Sequence, residues 1–326
     1  MMTGQALVVD GGVVVTGQAM GNSVTADWIA VDWGTSRLRA WAMGPGGAVL
    51  AKGSSDDGMG KLTRGGFEPA LLALVGGWLA TGRVTQVVAC GMVGARQGWV
   101  EAAYLTTPCP PLDAARMTLA PAQDPRLSVR IIPGICQLRP ADVMRGEETQ
   151  IAGCLAADPQ FDGVLCLPGT HTKWVRVSAG EVVSFQTCMT GEMFALLSEQ
   201  SVLRHSLAGD AGFDQPAFDA ALSDAIAHPG RIAAQLFTLR AESLLHGLGA
   251  AAVRARLSAW LIGIELASAR PYWLGQQVAL IGATGLSVTY AGALAAQGCH
   301  ATILDGDAMT LGGIIAAATR LKDQSA

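Results

Sequence analysis

Two short loops carry the residue types that bind phosphate groups. Gly-Thr-Ser at 34–36 and Gly-Thr-His at 169–171 each follow an apolar, strand-like segment. A glycine between two strands lets backbone N–H groups turn towards an anion. Either loop alone could be an ordinary hairpin, but the matched pair predicts a polyphosphate site. Hydroxyl and cationic side chains lie in or beside both loops, namely Thr35, Ser36, Arg37, Arg39, Thr170, Thr172 and Lys173.

The elements around the two loops repeat in the same order. The first set has apolar, strand-like segments at 28–34, 38–43, 48–55 and 84–91. The second set has them at 163–169, 173–178 and 181–187. The repeat predicts two α/β domains, each with a mixed β-sheet flanked by helices. Duplicated domains of this kind commonly face each other across a cleft.

Further elements surround these sets. Residues 143–157 predict a helix that begins with Glu147 and Glu148, at the end of the helix dipole that favours negative charge. Residues 278–287 predict a strand that runs into a glycine-rich turn. Apolar helices are predicted over 288–298 and 309–322.

Composition excludes several classes of protein. The chain has 326 residues, which suits two domains. Its net charge of −4 offers no basic excess for nucleic acid. The long uncharged stretch 271–304 is interrupted by Gly, Gln, Thr and His, so no membrane span is predicted. Seven scattered cysteines without a CxxC pair, and no signal peptide, indicate reduced thiols in the cytoplasm and no zinc site.

Several common catalytic motifs are missing from the sequence. The string GMGKLT at 58–63 fails the spacing of a phosphate-binding P-loop. There is no GxGxxG after a strand and no GxSxG elbow. P-loop kinases, nicotinamide dehydrogenases and α/β-hydrolases therefore lose their main support.

The loop sequences resemble a known superfamily. DWGTSRLRAW at 32–41 is similar to the first phosphate loop of the sugar-kinase, actin and heat-shock-protein fold. PGTHTKW at 168–174 is similar to its second phosphate loop, and LIGATGLS at 280–287 to its adenosine turn. More narrowly, the chain resembles the 2-dehydro-3-deoxygalactonokinase family over roughly residues 28–318, in the strings CGMVGARQGWVEAAYL, IIPGICQ, VMRGEETQ, LPGTHTKWV and MTGE.

The resemblance implies a fold and a reaction. The fold would be two actin-like (ribonuclease H-like) domains, each a mixed sheet flanked by helices, with an ATP cleft between them. The family phosphorylates the 6-hydroxyl of 2-dehydro-3-deoxygalactonate with ATP and Mg²⁺, in galactonate catabolism. We expect domains at 27–143 and 144–326, and an extension outside the fold at 1–26; an edge strand over 6–15 is the alternative. We expect no nucleic-acid or membrane partner, and a homo-oligomer is possible.

The resemblance also assigns roles to residues. Asp32 would hold Mg²⁺, usually through water, because Mg²⁺ sheds its hydration shell reluctantly. The phosphates would contact Gly34, Thr35, Ser36, Arg39, Gly169, Thr170, His171 and Lys173. The adenosine would lie against Gly282, Thr284 and Gly285.

A carboxylate at the start of the helix after residue 146 would act as the general base. Related sugar kinases have an Asp there, whereas this chain has Glu147 and Glu148. Counting back from Ile151 favours Glu148 and counting forward from Gly146 favours Glu147, so both stay open, with Glu148 preferred. Only one can face the substrate well, since neighbouring helical positions diverge by about 100°.

The substrate is an acid, so its carboxylate needs a cation. Arg96 and Arg145 are candidates, although each could equally form a structural ion pair, and Glu192 is a candidate for the sugar hydroxyls. Two alternatives differ from this assignment. A kinase of the same fold that acts on another sugar or sugar acid remains open. A catalytically silent sugar sensor would need a DNA-binding segment, and residues 1–26 are too short and lack Lys and Arg.

Overall fold

The computed structural model describes residues 14–16, 24–209 and 212–324. The chain divides into two compact units, Met1–Pro159 with Ala308–Ala326, and Gln160–Asp307. Each unit has its own central mixed sheet. Within the described ranges, no helix is both long enough and apolar enough to cross a membrane.

The first unit is built on a seven-stranded sheet in the order β1-β4-β3-β2-β5-β8-β7, beside a three-stranded sheet in the order β10-β9-β6. Its strands are β1 (Val14–Thr16), β2 (Trp28–Trp33), β3 (Leu38–Met43), β4 (Val49–Ser55), β5 (Thr85–Gly91), β6 (Tyr104–Thr106), β7 (Thr118–Leu119), β8 (Leu127–Ile131), β9 (Gly134–Leu138) and β10 (Ala141–Met144). Its helices before residue 160 are α1 (Phe67–Val75) and α2 (Glu147–Ala157).

The central strand β2 is buried on both faces, because its side chains alternate between two clusters. Ile29 and Val31 point to a cluster that includes Leu71 of α1. Trp28 and Ala30 point to the other cluster, which includes side chains of the C-terminal helix. The strand therefore reads as a continuous apolar run, as central strands covered by helices do. Asp32 interrupts that run at the end of the strand.

The second unit is built on a five-stranded sheet in the order β13-β12-β11-β14-β15. Its strands are β11 (Gly163–Leu167), β12 (Thr172–Ser178), β13 (Glu181–Cys188), β14 (Val278–Gly282) and β15 (Thr302–Asp305). Its helices are α3 (Thr190–Glu199), α4 (Gln215–Ala227), α5 (Ile232–His246), α6 (Ala250–Ser268), α7 (Arg270–Trp273) and α8 (Thr284–Ala295). The last helix, α9 (Gly306–Asp323), belongs to the first unit from Ala308 onwards.

The same strand order occurs in both units. Strands β4-β3-β2-β5-β8 of the first sheet correspond to β13-β12-β11-β14-β15 of the second. In the first sheet, β3 pairs antiparallel with both β2 and β4, and β5 pairs parallel with β2. In the second sheet, β12 pairs antiparallel with both β11 and β13, and β14 pairs parallel with β11. This repeat confirms the predicted fold class, two actin-like units with mixed sheets flanked by helices.

Three boundaries differ from the sequence expectation. The first compact unit runs on to Pro159 and includes most of α9, whereas the predicted division fell after residue 143. The reason is that Ala152 of α2 and Ile314 of α9 belong to one core cluster of the first unit. Helix α8 begins at Thr284, inside the predicted glycine-rich turn.

The predicted N-terminal extension is described only in part. Val14–Thr16 pairs antiparallel with β4 as an edge strand. This short segment is therefore part of the sheet, contrary to the expectation that 1–26 lies outside the fold. The remainder of that expectation, up to residue 13 and from 17 to 23, falls outside the described residues.

Candidate active site

The loop between β2 and β3 is held by a neighbouring segment. The Gly34 N–H donates to the Arg37 carbonyl at 2.8 Å, which closes the turn. The Met59 N–H donates to the Gly34 carbonyl at 3.0 Å, and the Gly60 N–H to the Thr35 carbonyl at 2.9 Å. These bonds fix the loop backbone, while its side chains are exposed from Thr35 to Arg37.

Sequence analysis missed this supporting segment. It lies in the string GMGKLT, whose spacing excludes a P-loop. A Cβ atom on Gly58 would lie 2.3 Å from the Thr35 carbonyl oxygen and 2.5 Å from the Arg37 nitrogen. Only a glycine allows this close approach of the two backbones. The pair of glycines at 58 and 60 was the available signal.

Asp32 lies next to this loop and has two side-chain partners. In the sheet, Asp32 is opposite Arg39 of β3 and opposite Cys90 of β5. The Arg39 guanidinium donates to Asp32 Oδ2 through Nε at 3.0 Å and Nη2 at 2.5 Å. The Cys90 thiol donates to Oδ1 at 3.6 Å. The structure therefore places Arg39 on the carboxylate, where it neutralises Asp32.

The residues at this point fit a magnesium ion that is bound mainly by its nucleotide. Mg²⁺ in such sites usually takes one or two carboxylates, and phosphate oxygens and water complete its octahedron. Asp32 supplies one carboxylate that is still partly exposed. Among the residues that the structure describes, no cluster of three or more His, Cys, Asp or Glu could hold a metal alone.

Glu148 is completely enclosed at the start of α2. Its Oε2 accepts the Gly146 N–H at 2.6 Å, and its Oε1 accepts the Thr149 hydroxyl at 2.9 Å. Burial raises the pKa of Glu148 to about 7, and the charge of Glu147 adds to the rise. The positive charge of Arg145 and the two hydrogen bonds act in the opposite direction. A carboxylate with a pKa near 7 can accept a proton at neutral pH.

Cys90 connects Glu148 electrostatically with Asp32. Burial raises the pKa of the Cys90 thiol, and the carboxylates of Asp32 and Glu148 raise it further. Both carboxylates are therefore near one thiol. Glu147, in contrast, is half-buried, and its Oε2 accepts the Arg145 N–H at 3.1 Å.

The two arginine candidates are in different environments. Arg96 is exposed, and its carbonyl accepts Nη2 of Arg64 at 3.0 Å. The Arg145 guanidinium lies 4.4 Å from the centre of the Tyr104 ring and donates through Nη2 to the Ala102 carbonyl at 2.8 Å. Its Nε and Nη1 are buried without a hydrogen-bond partner among the described residues.

The loop between β11 and β12 has a comparable support in the second unit. Thr170 and His171 are exposed. Lys173 is buried, and its ammonium group donates to the His171 carbonyl at 3.0 Å. A Cβ atom on Gly191 would lie 2.4 Å from the Gly169 oxygen, so α3 begins directly against the loop.

Glu192 is also attached to this loop. Its N–H donates to the Thr170 carbonyl at 3.0 Å, and its Oε2 lies 2.5 Å from Nε2 of His171. The structure thus places Glu192, the residue expected at the sugar hydroxyls, against the loop between β11 and β12.

The predicted adenosine turn lies beside the same loop. A Cβ atom on Gly282 would lie 3.2 Å from the Pro168 oxygen. Thr284 and Gly285 are exposed in the first turn of α8. Nearby, the second unit contains a cavity of about 180 Å³. Its lining includes Gly169, Phe194, Leu261, Ile262, Leu286 and Tyr290.

These features define a class of protein. Each unit has the same strand order and a Gly-Thr loop between its first two strands, and the second unit adds the glycine-containing turn and the cavity. This is the arrangement of the actin-like carbohydrate kinases. The model of the 2-keto-3-deoxy-galactonokinase family matches residues 32–317, and the chain belongs to this family.

Individual relatives agree with that membership. A Rhizobium meliloti protein described as a probable 2-dehydro-3-deoxygalactonokinase is 40% identical over 89% of this chain and 96% of the relative. The 2-dehydro-3-deoxygalactonokinase of Escherichia coli is 36% identical over 89% of this chain and 97% of the relative. A crystal structure of a Sinorhizobium meliloti protein described as a putative 2-dehydro-3-deoxygalactonokinase superimposes with a TM-score of 0.82 at 40% identity, covering 90% of this chain and 99% of the other. The predicted family and enzyme class are confirmed.

Proposed function

We propose that this protein transfers the γ-phosphoryl group of ATP to the 6-hydroxyl of 2-dehydro-3-deoxygalactonate, in galactonate catabolism. The observation that carries the proposal is the family match over residues 32–317, in a chain that keeps a Gly-Thr loop in both units. The names of the two relatives, which this chain matches over nearly their whole length, support the choice of sugar acid.

The two loops would bind the phosphate groups. In the first unit, the backbone of the loop around Gly34 is fixed, and the hydroxyls of Thr35 and Ser36 are exposed. In the second unit, Lys173 brings a positive charge to the loop that contains Thr170. Such donors neutralise the charge of the transferring group, and positioning together with charge neutralisation accounts for most phosphoryl-transfer catalysis.

Asp32 would hold the magnesium ion through water. When bound, this ion would neutralise charge on the phosphate oxygens. The proposal is supported by the place of Asp32 at the end of β2, next to the first loop, and by its partly exposed carboxylate.

Glu148 would act as the general base. The 6-hydroxyl oxygen attacks the γ-phosphorus, its proton passes to Glu148, and the bond from that phosphorus to the bridging oxygen of ADP breaks. The pKa of about 7 and the shared neighbour Cys90 support Glu148 over Glu147. Because solvent does not reach Glu148 in the described structure, its carboxylate would have to become accessible to the 6-hydroxyl when the sugar acid binds.

Arg96 would bind the carboxylate of the sugar acid, because its side chain is exposed. Arg145 would instead act on Glu148 through its charge, since its guanidinium is packed on Tyr104. A homo-oligomeric state and a cytoplasmic location stay predictions.

A coupled assay of ADP release tests the reaction. The panel comprises 2-dehydro-3-deoxygalactonate, its gluconate epimer, gluconate and aldohexoses, each with ATP and Mg²⁺. We expect the highest kcat/KM with the galactonate derivative, and phosphorus NMR of the product should place the phosphate on C6. A higher kcat/KM with another acid would overturn the substrate assignment and leave the kinase assignment intact. If no compound releases ADP, the proposed reaction fails.

A further inference from the structure

Glu265 is a buried carboxylate in the last turn of α6, outside the sequence motifs discussed above. It is 3% exposed. Burial raises its pKa, and the hydrogen bonds that it accepts oppose the rise. A buried carboxylate is expensive unless donors surround it. The identity of those donors therefore shows what the carboxylate holds together.

In the part of the chain that the structure describes, Trp174, Thr190 and Tyr290 donate to this carboxylate from three different elements, and a hydrogen bond from Thr172 of β12 also opposes the rise of its pKa. Trp174 of β12 donates through Nε1 to Oε1 at 2.8 Å. Tyr290 of α8 donates its hydroxyl to Oε2 at 2.8 Å, and Thr190 at the start of α3 donates to the same oxygen. The Tyr290 hydroxyl also lies 3.2 Å from that of Thr172.

Two of the donors adjoin residues of the proposed nucleotide site in the chain. Trp174 follows Lys173 in the chain. Thr190 precedes Gly191 and Glu192, which contact the second phosphate loop. The carboxylate is thus the common acceptor for elements that contribute to the loop and to the start of α3.

The same residues form walls of the 180 Å³ cavity. Thr190 and Tyr290 line it together with Gly169 of the phosphate loop. Their hydroxyls are bound to Glu265, so they present their apolar parts to the cavity, beside Leu261 and Ile262. Aromatic and aliphatic walls suit a flat nucleobase.

We propose that Glu265 is a positioning residue for the nucleotide: it aligns the second phosphate loop, the start of α3 and helix α8 so that the cavity and the loop bind one nucleotide. Glu265 acts through its three donors and does not touch the nucleotide. The inference rests on the proposed function, since it takes the ligand of this unit to be ATP or ADP.

Two substitutions at Glu265 separate alignment from charge. In Glu265→Gln, the amide oxygen can accept the indole N–H of Trp174. The amide NH₂ can donate to Thr190 and Tyr290, because their hydroxyls can accept a hydrogen bond as well as donate one. The alignment is kept without the negative charge. In Glu265→Ala, all three donors lose their acceptor.

Calorimetric titration with ADP and Mg²⁺ measures the effect without turnover. We expect Glu265→Ala to raise the Kd for ADP by about tenfold, and Glu265→Gln to stay within about threefold of the unchanged chain. The steady-state KM for ATP should follow the same order, while the KM for the sugar acid stays within about twofold. Circular dichroism shows whether each variant is folded at the temperature of the titration.

Glu242→Ala is the matched control. Glu242 of α5 accepts Nη1 and Nη2 of Arg256 at 2.6 and 3.1 Å, within the same unit. The substitution removes the ion pair between Glu242 and Arg256 of α6, and it leaves the hydrogen bonds of Trp174, Thr190 and Tyr290 in place. We expect a lower Tm and an unchanged Kd for ADP.

The outcomes distinguish the inference from the proposed function. A folded Glu265→Ala variant with unchanged ADP affinity overturns the positioning role, and so does a Gln variant as weak as the Ala variant. If Glu265→Ala does not fold, Tyr290→Phe removes one of the three bonds and should raise the Kd for ADP several-fold; an unchanged Kd overturns the role. If the unchanged chain itself does not bind ADP, the proposed function fails, and this inference with it.

Discussion

Asp32 and Arg39 face each other on neighbouring antiparallel strands, and two guanidinium nitrogens donate to the same carboxylate oxygen, Oδ2. Among the described residues, the donor to the Oδ1 atom is the weak thiol of Cys90, at 3.6 Å. The two oxygens therefore differ, and Oδ1 is the oxygen that would accept from the water shell of the proposed ion. The pair lies beside the loop between β2 and β3, where the phosphates are proposed to bind. The two hydrogen bonds therefore hold the Arg39 guanidinium and the Asp32 carboxylate in place beside that loop.

Replacing Asp32 should affect turnover far more than folding. We expect Asp32→Asn, which keeps the size and removes the charge, to lower kcat by about 10²-fold or more, because the ion loses its protein carboxylate. Excess Mg²⁺ should not restore the rate, and the thermal unfolding curve should stay close to that of the unchanged chain. A rate near the original at saturating Mg²⁺ would show that Asp32 does not hold the ion.

Glu147 and Glu148 should respond differently to the same conservative change. We expect Glu148→Gln to reduce kcat by about 10²-fold or more, because it removes the proton acceptor. Glu147→Gln should retain most of the activity and lose about 0.3–1 kcal/mol of stability, through the helix dipole. The measurement is kcat and KM of both variants; the reverse order of the two effects would move the base to Glu147.

The raised pKa of Glu148 should appear in the pH profile of the enzyme. Because the base must be deprotonated, kcat/KM should fall about tenfold per pH unit below about pH 7. A profile that is flat down to pH 5 would contradict a base with this pKa.

The same pKa predicts how stability depends on pH. The folded chain keeps a proton on Glu148 up to about pH 7, whereas the unfolded chain loses it near 4.5. Folding is therefore penalised increasingly as the pH rises from about 4.5 to about 7, and by a constant amount above that, on the order of 3 kcal/mol. Glu148→Gln removes the penalty, so the variant should gain stability relative to the unchanged chain across this window. Urea unfolding at pH 5 and pH 8 measures the difference, and an equal difference at both values would argue against the shift.

Substitutions at Glu192 test whether this residue acts on the binding of ATP or on the binding of the sugar acid. Its carboxylate contacts His171, so Glu192→Gln should raise the KM for ATP by several-fold and leave the KM for the sugar acid nearly unchanged. Comparison with His171→Gln tests the same contact from the other side, and both variants should shift the same constant. A rise confined to the KM for the sugar acid would support the sequence expectation that Glu192 binds sugar hydroxyls.

Much of the fold could be predicted from local sequence. The strands that flank 34–36 and 169–171 are short apolar runs separated by glycine, and such patterns depend on neighbouring residues only. Helix α8 begins earlier than the predicted start at residue 288, because Thr284 and Gly285 belong to its first turn although glycine usually signals a turn.

The partners of the site residues could not be predicted in the same way. Gly58 supports the first loop across a distance of more than twenty residues, and Trp174 and Glu265 are 91 positions apart. Contacts of this kind depend on how elements pack, and a single sequence carries no local signal for them. The complete burial of Glu148 is a further example, because its helix position alone does not tell how closely the neighbouring elements cover it.

Cys90 has a chemical consequence for the site. Its thiol contacts Asp32, yet it is fully buried, and burial together with the charges of Asp32 and Glu148 holds its pKa well above the ordinary value. Alkylating reagents and peroxides react with the thiolate, and this sulfur remains protonated and enclosed. We therefore expect the Cys90 thiol to react slowly with such reagents, although it contacts the carboxylate that is proposed to hold the metal ion.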